Sequence, residues 1–119
     1  MRDNIHSFMV ILRAIQKVDP EFPVQYALCI AEISLNEGLC VTDLAIKTGM
    51  PLSTVSRIIS ALSKNRTRSR SYDLLDIIVS PHEKRKKLIY LNKKGQNFLN
   101  NINNTIENIK VPISDVASK

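Results

Sequence analysis

Lys84, Arg85, Lys86 and Lys87 stand in line within SPHEKRKKLIYLNKKG, residues 80–95, directly ahead of the apolar Leu88 to Leu91. Upstream, Arg66, Arg68 and Arg70 alternate with small polar residues in NRTRSRS, residues 65–71. From Arg57 to Lys94 the chain carries eleven Lys and Arg against three acids, a local balance of +8, while the remainder carries −2. Guanidinium and ammonium groups in rows hold their protons at neutral pH, so their chemistry is anion binding rather than proton transfer. A surface serving solubility alone would intersperse its signs. The segregation points to a polyanion met by one face of the molecule.

The residue types of catalysis and metal binding are scattered. His6 and His82 are far apart and have no companions at ligand spacing; both read as surface residues, His82 near a phosphate. Cys29 and Cys40 form no CxxC pair, have no cationic neighbours in sequence, and read as buried structural thiols. No nucleophile–base arrangement, no acid pair in an apolar setting and no phosphate-cradling glycine loop is present in the sequence. The expectation is a non-enzyme with no metal and no cofactor. At 119 residues and 44% hydrophobic, the chain suits one ordinary domain, 1–119. It has no apolar run of bilayer length, no signal-peptide pattern at its start and no disulfide framework, so the expected setting is the cytoplasm, off the membrane.

The elements that must position the cations can be read from periodicity. Asn4 to Val18 reads as a helix that is apolar around most of its circumference, with Ile5, Phe8, Leu12 and Ile15 three and four apart. Such a helix in so small a domain calls for cover from another chain. Pro20 and Pro23 end it. A second helix follows over 23–36, with Val24, Ala27, Leu28 and Ala31 on one side, and Glu37-Gly38 stops it. Thr42 is placed to cap a short helix, 43–48, that Gly49 ends. Another helix runs from Pro51 or Leu52 to about Lys64, with Val55, Ile58, Ile59 and Leu62 at i, i+3, i+4, i+7. LLDIIVS, 74–80, and Leu88 to Leu91 read as two strands joined by a turn opened by Pro81. Asn92 caps a last helix with Leu99, Ile102, Ile106 and Ile109 along one stripe, and 111–119 reads as a flexible tail.

Two helices joined by a tight glycine turn make a helix-turn-helix, whose second helix enters the DNA major groove. Burying Val55, Ile58, Ile59 and Leu62 leaves Ser53, Thr54, Ser56, Arg57 and Ser60 outward, and short side chains with one arginine suit base edges at close approach. The basic hairpin that follows completes a winged helix-turn-helix, mainly α with a small β wing. His82, Lys84, Arg85, Lys86 and Lys87 belong to the wing. Thr42, Lys64, Arg66, Arg68 and Arg70 are the candidates for phosphate contacts.

TDLAIKTGMPLSTVSRIISAL, 42–62, and SPHEKRKKLIYLNKKG together resemble the MarR family of winged-helix transcription regulators, over about residues 23–99. In the second segment Glu83 matches the family's acidic position, Lys84 and Arg85 its basic pair, Leu88 and Leu91 its strand core and Gly95 its closing glycine. The resemblance implies a homodimer held by the N- and C-terminal helices, here 4–22 and 92–110 around a 23–91 core. Its interface would be Ile5, Phe8, Leu12, Ile15, Leu99, Ile102, Ile106 and Ile109. It also implies recognition helices in successive major grooves and wings in flanking minor grooves with an arginine inserted. Asn92 replaces the family's usual threonine, and Lys84 replaces a frequent arginine, which makes Arg85 the minor-groove candidate. The basic loop 65–72 is longer, and the single C-terminal helix shorter, than in typical members. The second departure bears on the pocket through which family members release DNA on binding a phenolic or similar effector.

The function expected is a homodimeric regulator of transcription, a repressor, on a pseudo-palindromic operator of double-stranded DNA. The alternatives are an architectural or replication-initiation protein with little base readout, and a module whose basic face meets an acidic protein.

Overall fold

The computed structural model describes residues 1–64 and 72–118, with side chains as far as 109. The order is α1 (Arg2–Gln16), α2 (Val24–Leu35), α3 (Val41–Thr48), α4 (Leu52–Leu62), β1 (Leu75–Val79), β2 (Lys87–Leu91) and α5 (Lys93–Ser118). Two compact units form: Pro23–Gln96, and Met1–Phe22 with α5 from Asn97 onward.

In the Pro23–Gln96 unit, α4 supplies the floor. Val55, Ile58, Ile59 and Leu62 are each at most 3% exposed, as their spacing requires. Leu44 of α3, Leu74, Leu75 and Ile89 join them in the core. α3 ends where Gly49 takes φ +72°, a left-handed conformation that glycine adopts without steric cost, and its N–H donates to Ala45 O. The start of α3 corrects the expected cap. The helix begins at Val41, Cys40 is its N-cap, and Thr42 lies exposed within the first turn. Tertiary pairing sets this start. Gly38 N–H donates to Ile89 O (2.8 Å), Ile89 N–H to Leu39 O (2.9 Å), and Cys40 bridges Leu88, so 38–40 lies along the edge of β2.

The face of α2 also differs from expectation. Cys29, Ile30 and Ile33 are buried, whereas Val24 is 77% and Leu28 44% exposed. Almost every position of this helix is apolar, so spacing alone does not choose a face. β1 and β2 pair antiparallel, with Leu75 opposite Leu91, Ile77 opposite Ile89 and Val79 opposite Lys87. Directly opposed residues share a face, so Ile89 and Leu91 carry the core face. Leu88, expected in the strand core with Leu91, is half-buried on the other face opposite Ile78.

Asn92 caps α5 as expected, its Oδ1 accepting from Gly95 N–H (2.8 Å) while its Nδ2 donates to Asp73 O (2.8 Å). α5 continues to Ser118 across Pro112, past the expected end at 110 and through the stretch read as a tail. In the second unit Phe22 packs on Phe98, ring centroids 5.6 Å apart. Ala14 is the buried residue of α1, and Ile5, Phe8, Met9 and Leu12 remain exposed. Ile15, Leu99, Ile102, Ile106 and Ile109 are half-buried. Among the described residues no helix is long and apolar enough to cross a membrane, and no group of His, Cys, Asp or Glu is placed to hold a metal ion.

Candidate nucleic-acid interface

The exposed side of α4 is built by what its other side buries. With Val55, Ile58, Ile59 and Leu62 in the core, Ser53, Ser56 and Arg57 are exposed, as expected. Thr54 and Ser60 are half-buried rather than free, because they flank the core stripe on either side. Leu52, the first residue of α4, is an apolar side chain left 51% exposed. It stands three before Val55 and seven before Ile59, at the spacing of the buried stripe, so the pattern alone does not show that it is left exposed.

The wing tip is a braced turn. Ser80 N–H donates to Lys86 O (2.8 Å) and Lys86 N–H to Glu83 O (2.9 Å). Ser80 is buried, and its Oγ accepts from the N–H groups of His82 and Glu83, 3.3 Å each. This holds Lys84 and Arg85 at the tip, both exposed. Ser80 was missed as a functional residue; the signal was a serine directly before proline, a pairing that favours local side-chain-to-backbone turns. At the root, Glu37 Oε1 accepts from Leu91 N–H (2.9 Å), which ties β2 to the segment leading into α3.

The four successive cations do not share one environment. Lys84 and Arg85 lie at the tip. Lys86 lies near Asp43 at the start of α3. The Asp43 carboxyl is held below its ordinary pKa by the Cys40 thiol, then by the Cys40 backbone N–H, with Lys86 and Lys47 adding their charges. Asp43 is therefore the residue that reaches back to its own N-cap, in the manner of a capping box. A depressed carboxyl contributes stability above the ordinary carboxylate range and loses it as pH falls through the lowered value. Lys87 opens β2, on the strand face that carries Ile89.

Of the phosphate candidates, Thr42 and Lys64 are exposed, while Arg66, Arg68 and Arg70 lie outside the described residues. His6 and His82 are exposed, as expected. Cys29 is fully buried, and burial pushes its thiol up to about 11. Cys40 is half-buried at the α3 cap rather than fully buried. Iodoacetamide at pH 8 is expected to alkylate Cys40 more than about tenfold faster than Cys29, since alkylation needs the thiolate. Peptide mapping by mass spectrometry reads the ratio, and equal rates contradict the burial of Cys29.

No family model matches this sequence, and no curated protein does. Solved structures do match. RV1404 from Mycobacterium tuberculosis superposes with TM-score 0.70 at 17% identity over 93% of this chain and 69% of that one. MepR from S. aureus, in a structure bound to an oligodeoxyribonucleotide, gives 0.70 at 17% identity over 94% and 78%. A MarR family transcription regulator, SP03579, gives 0.68 at 16% identity over 97% and 71%. The fold is a MarR-like winged helix. In its terms α3 and α4 are the helix-turn-helix, and β1 with β2 is the wing. Identities this low fix the fold and leave the function of this chain to its own residues.

Proposed function

We propose that this chain is a regulator of transcription that binds double-stranded DNA as a homodimer, a repressor on a pseudo-palindromic operator. One observation carries the reading. A single unit presents a recognition helix with Ser53 and Arg57 exposed beside a braced wing tip that presents Lys84 and Arg85. These are the two parts a winged helix lays into adjacent grooves. The likeness to MepR, itself solved with an oligodeoxyribonucleotide, supports the same use of the fold. Arg57 reads or clamps the major groove, Arg85 enters the minor groove, and the apolar faces of α1 and α5 meet their copies. Two-fold symmetry then places half-sites about 34–36 Å apart, or multiples of that.

The test is selection of bound duplexes from a random pool, followed by salt-titrated binding to the selected site and to a scrambled one. A palindrome and a specificity ratio of at least about 10³ are expected. A ratio near one favours an architectural DNA-binding protein, and no binding to any duplex leaves the basic face for an acidic protein. Arg57→Ala is expected to cost about 1–3 kcal/mol on the selected site and to relax discrimination at one position. Arg85→Ala is expected to weaken all sequences alike and to lower the salt slope by about one.

A further inference from the structure

A cleft of about 250 Å³ opens between the recognition helix and the wing. Ser56, Ser60 and Lys64 line the helix side, Ile77 and Lys87 line the wing side, and Ile59 lies between them. No carboxylate is among the residues that line it. Lys64 and Lys87 put a cationic residue on each wall with no acid among the described lining residues, so an anion in the cleft would be attracted from both sides. The wing wall is unusual as well. Ile77 is 38% exposed, although its cross-strand partner Ile89 is fully buried on the same face. The core face of the hairpin thus runs outward into the cleft, changing from Ile89 to Ile77 and ending at Lys87. Its lining is cationic, hydroxylic and aliphatic at once.

A DNA strand offers that combination, an anionic phosphate followed by a deoxyribose with an apolar face. When a recognition helix and a wing enter adjacent grooves, one sugar-phosphate strand runs between them. Serine hydroxyls and lysines are ordinary donors to phosphate oxygens. We propose that this cleft seats a single backbone phosphate, held by Lys64 and Lys87 from opposite walls, with Ile77 against the neighbouring sugar. The proposal rests on the DNA-binding reading above. It moves Ser56, Ser60 and Lys87 from base and minor-groove contacts to the fixing of register along the strand. Such contacts carry no sequence information of their own.

The test compares wild type with the K64Q/K87Q double variant on the selected duplex and on a scrambled one. Both lysines are on the surface or at a strand end, and a wild-type circular dichroism spectrum establishes that the variant is folded. Because the two lysines share one phosphate, the slope of log affinity against log salt should fall by about one. Two separate phosphates would lower it by about two. The ratio between the two duplexes should stay at its wild-type value. Single neutral methylphosphonates are then walked along the site. Wild type should lose about tenfold in affinity at one position in each half-site, and the double variant should be insensitive there. An unchanged slope, a fall of two, an altered ratio or identical methylphosphonate profiles overturns the cleft assignment while wild-type binding to DNA still stands. Wild type that binds no duplex overturns the DNA-binding reading itself and the cleft with it.

Discussion

Replacing Gly95 with alanine is expected to destabilise the folded chain by about 3 kcal/mol, a fall of roughly 10–15 °C in Tm. Helix propensity predicts the opposite sign. Gly95 lies in the first turn of α5, and alanine is the better helix former by about 1 kcal/mol. Packing outweighs propensity here. A Cβ on Gly95 would overlap the carbonyl oxygen of Leu74, lie 3.2 Å from its carbonyl carbon, and come within 3.3 Å of Leu91 Cδ2. The obstructing atoms are backbone, so no rotamer change relieves them.

Leu74 cannot move aside cheaply either. Its N–H donates to Leu62 O (2.7 Å), its carbonyl accepts from Asn92 N–H (3.1 Å), and its neighbour Asp73 is held by the Asn92 side chain. Leu74 is also 1% exposed. A shift would therefore pass into the junction between α4 and the wing. Thermal unfolding followed by circular dichroism, with urea unfolding as a second measure, gives the result. A Tm equal to or above wild type would falsify the close approach of α5 to Leu74.

Gly95 also shows how far the sequence could be read. As the closing glycine of the wing segment it stood out, but the reason for it lies at Leu74, 21 residues away in the chain, and no local pattern reports that contact. α4 was legible because four apolar residues at i, i+3, i+4, i+7 leave only one way to bury them. The hairpin was legible because Pro81 interrupts two runs rich in β-branched and aliphatic residues. The face of α2 was not, since a helix apolar at Val24, Ala27, Leu28, Cys29, Ile30, Ala31 and Ile33 has no unique stripe. The α3 cap was misplaced onto Thr42, the residue of better intrinsic capping type. Its position is fixed instead by pairing of 38–40 with β2, a tertiary constraint that overrides propensity. Among the candidate site residues, Arg57, Lys84 and Arg85 are exposed as their types suggested. The separation of Lys86 and Lys87 from their neighbours depends on strand register and on Asp43, neither of which can be read from a run of four cations.

The second large effect concerns the terminal unit. On the proposed homodimer and operator, changing both Phe8 and Leu12 to glutamate is expected to leave the chain folded and monomeric, and to weaken operator binding by at least about 100-fold. In one chain Phe8 is 57% and Leu12 37% exposed, with Ile5 and Met9 beside them at 52% and 47%. These are large apolar side chains four apart on one helix, and a solvated helix has no use for such a face. Neither residue is among the buried core of the single chain, so matched circular dichroism can separate loss of the dimer from loss of the fold. In a two-fold interface each residue occurs twice. In the proposed interface the double variant would thus remove four apolar side chains of which about half the surface is left for a partner to bury, about 3–6 kcal/mol in all. It also introduces four carboxylates that must be desolvated or repel one another. Together these are enough to dissociate a dimer of nanomolar affinity at micromolar protein concentration. The operator then loses the gain of binding two linked half-sites at once, which is the source of the expected 100-fold. Sedimentation equilibrium with matched circular dichroism reads the first part, and binding to full and half operators reads the second. A variant that stays dimeric would place the interface elsewhere. A monomer that binds the full operator as tightly as wild type would show that the two half-sites are not engaged together.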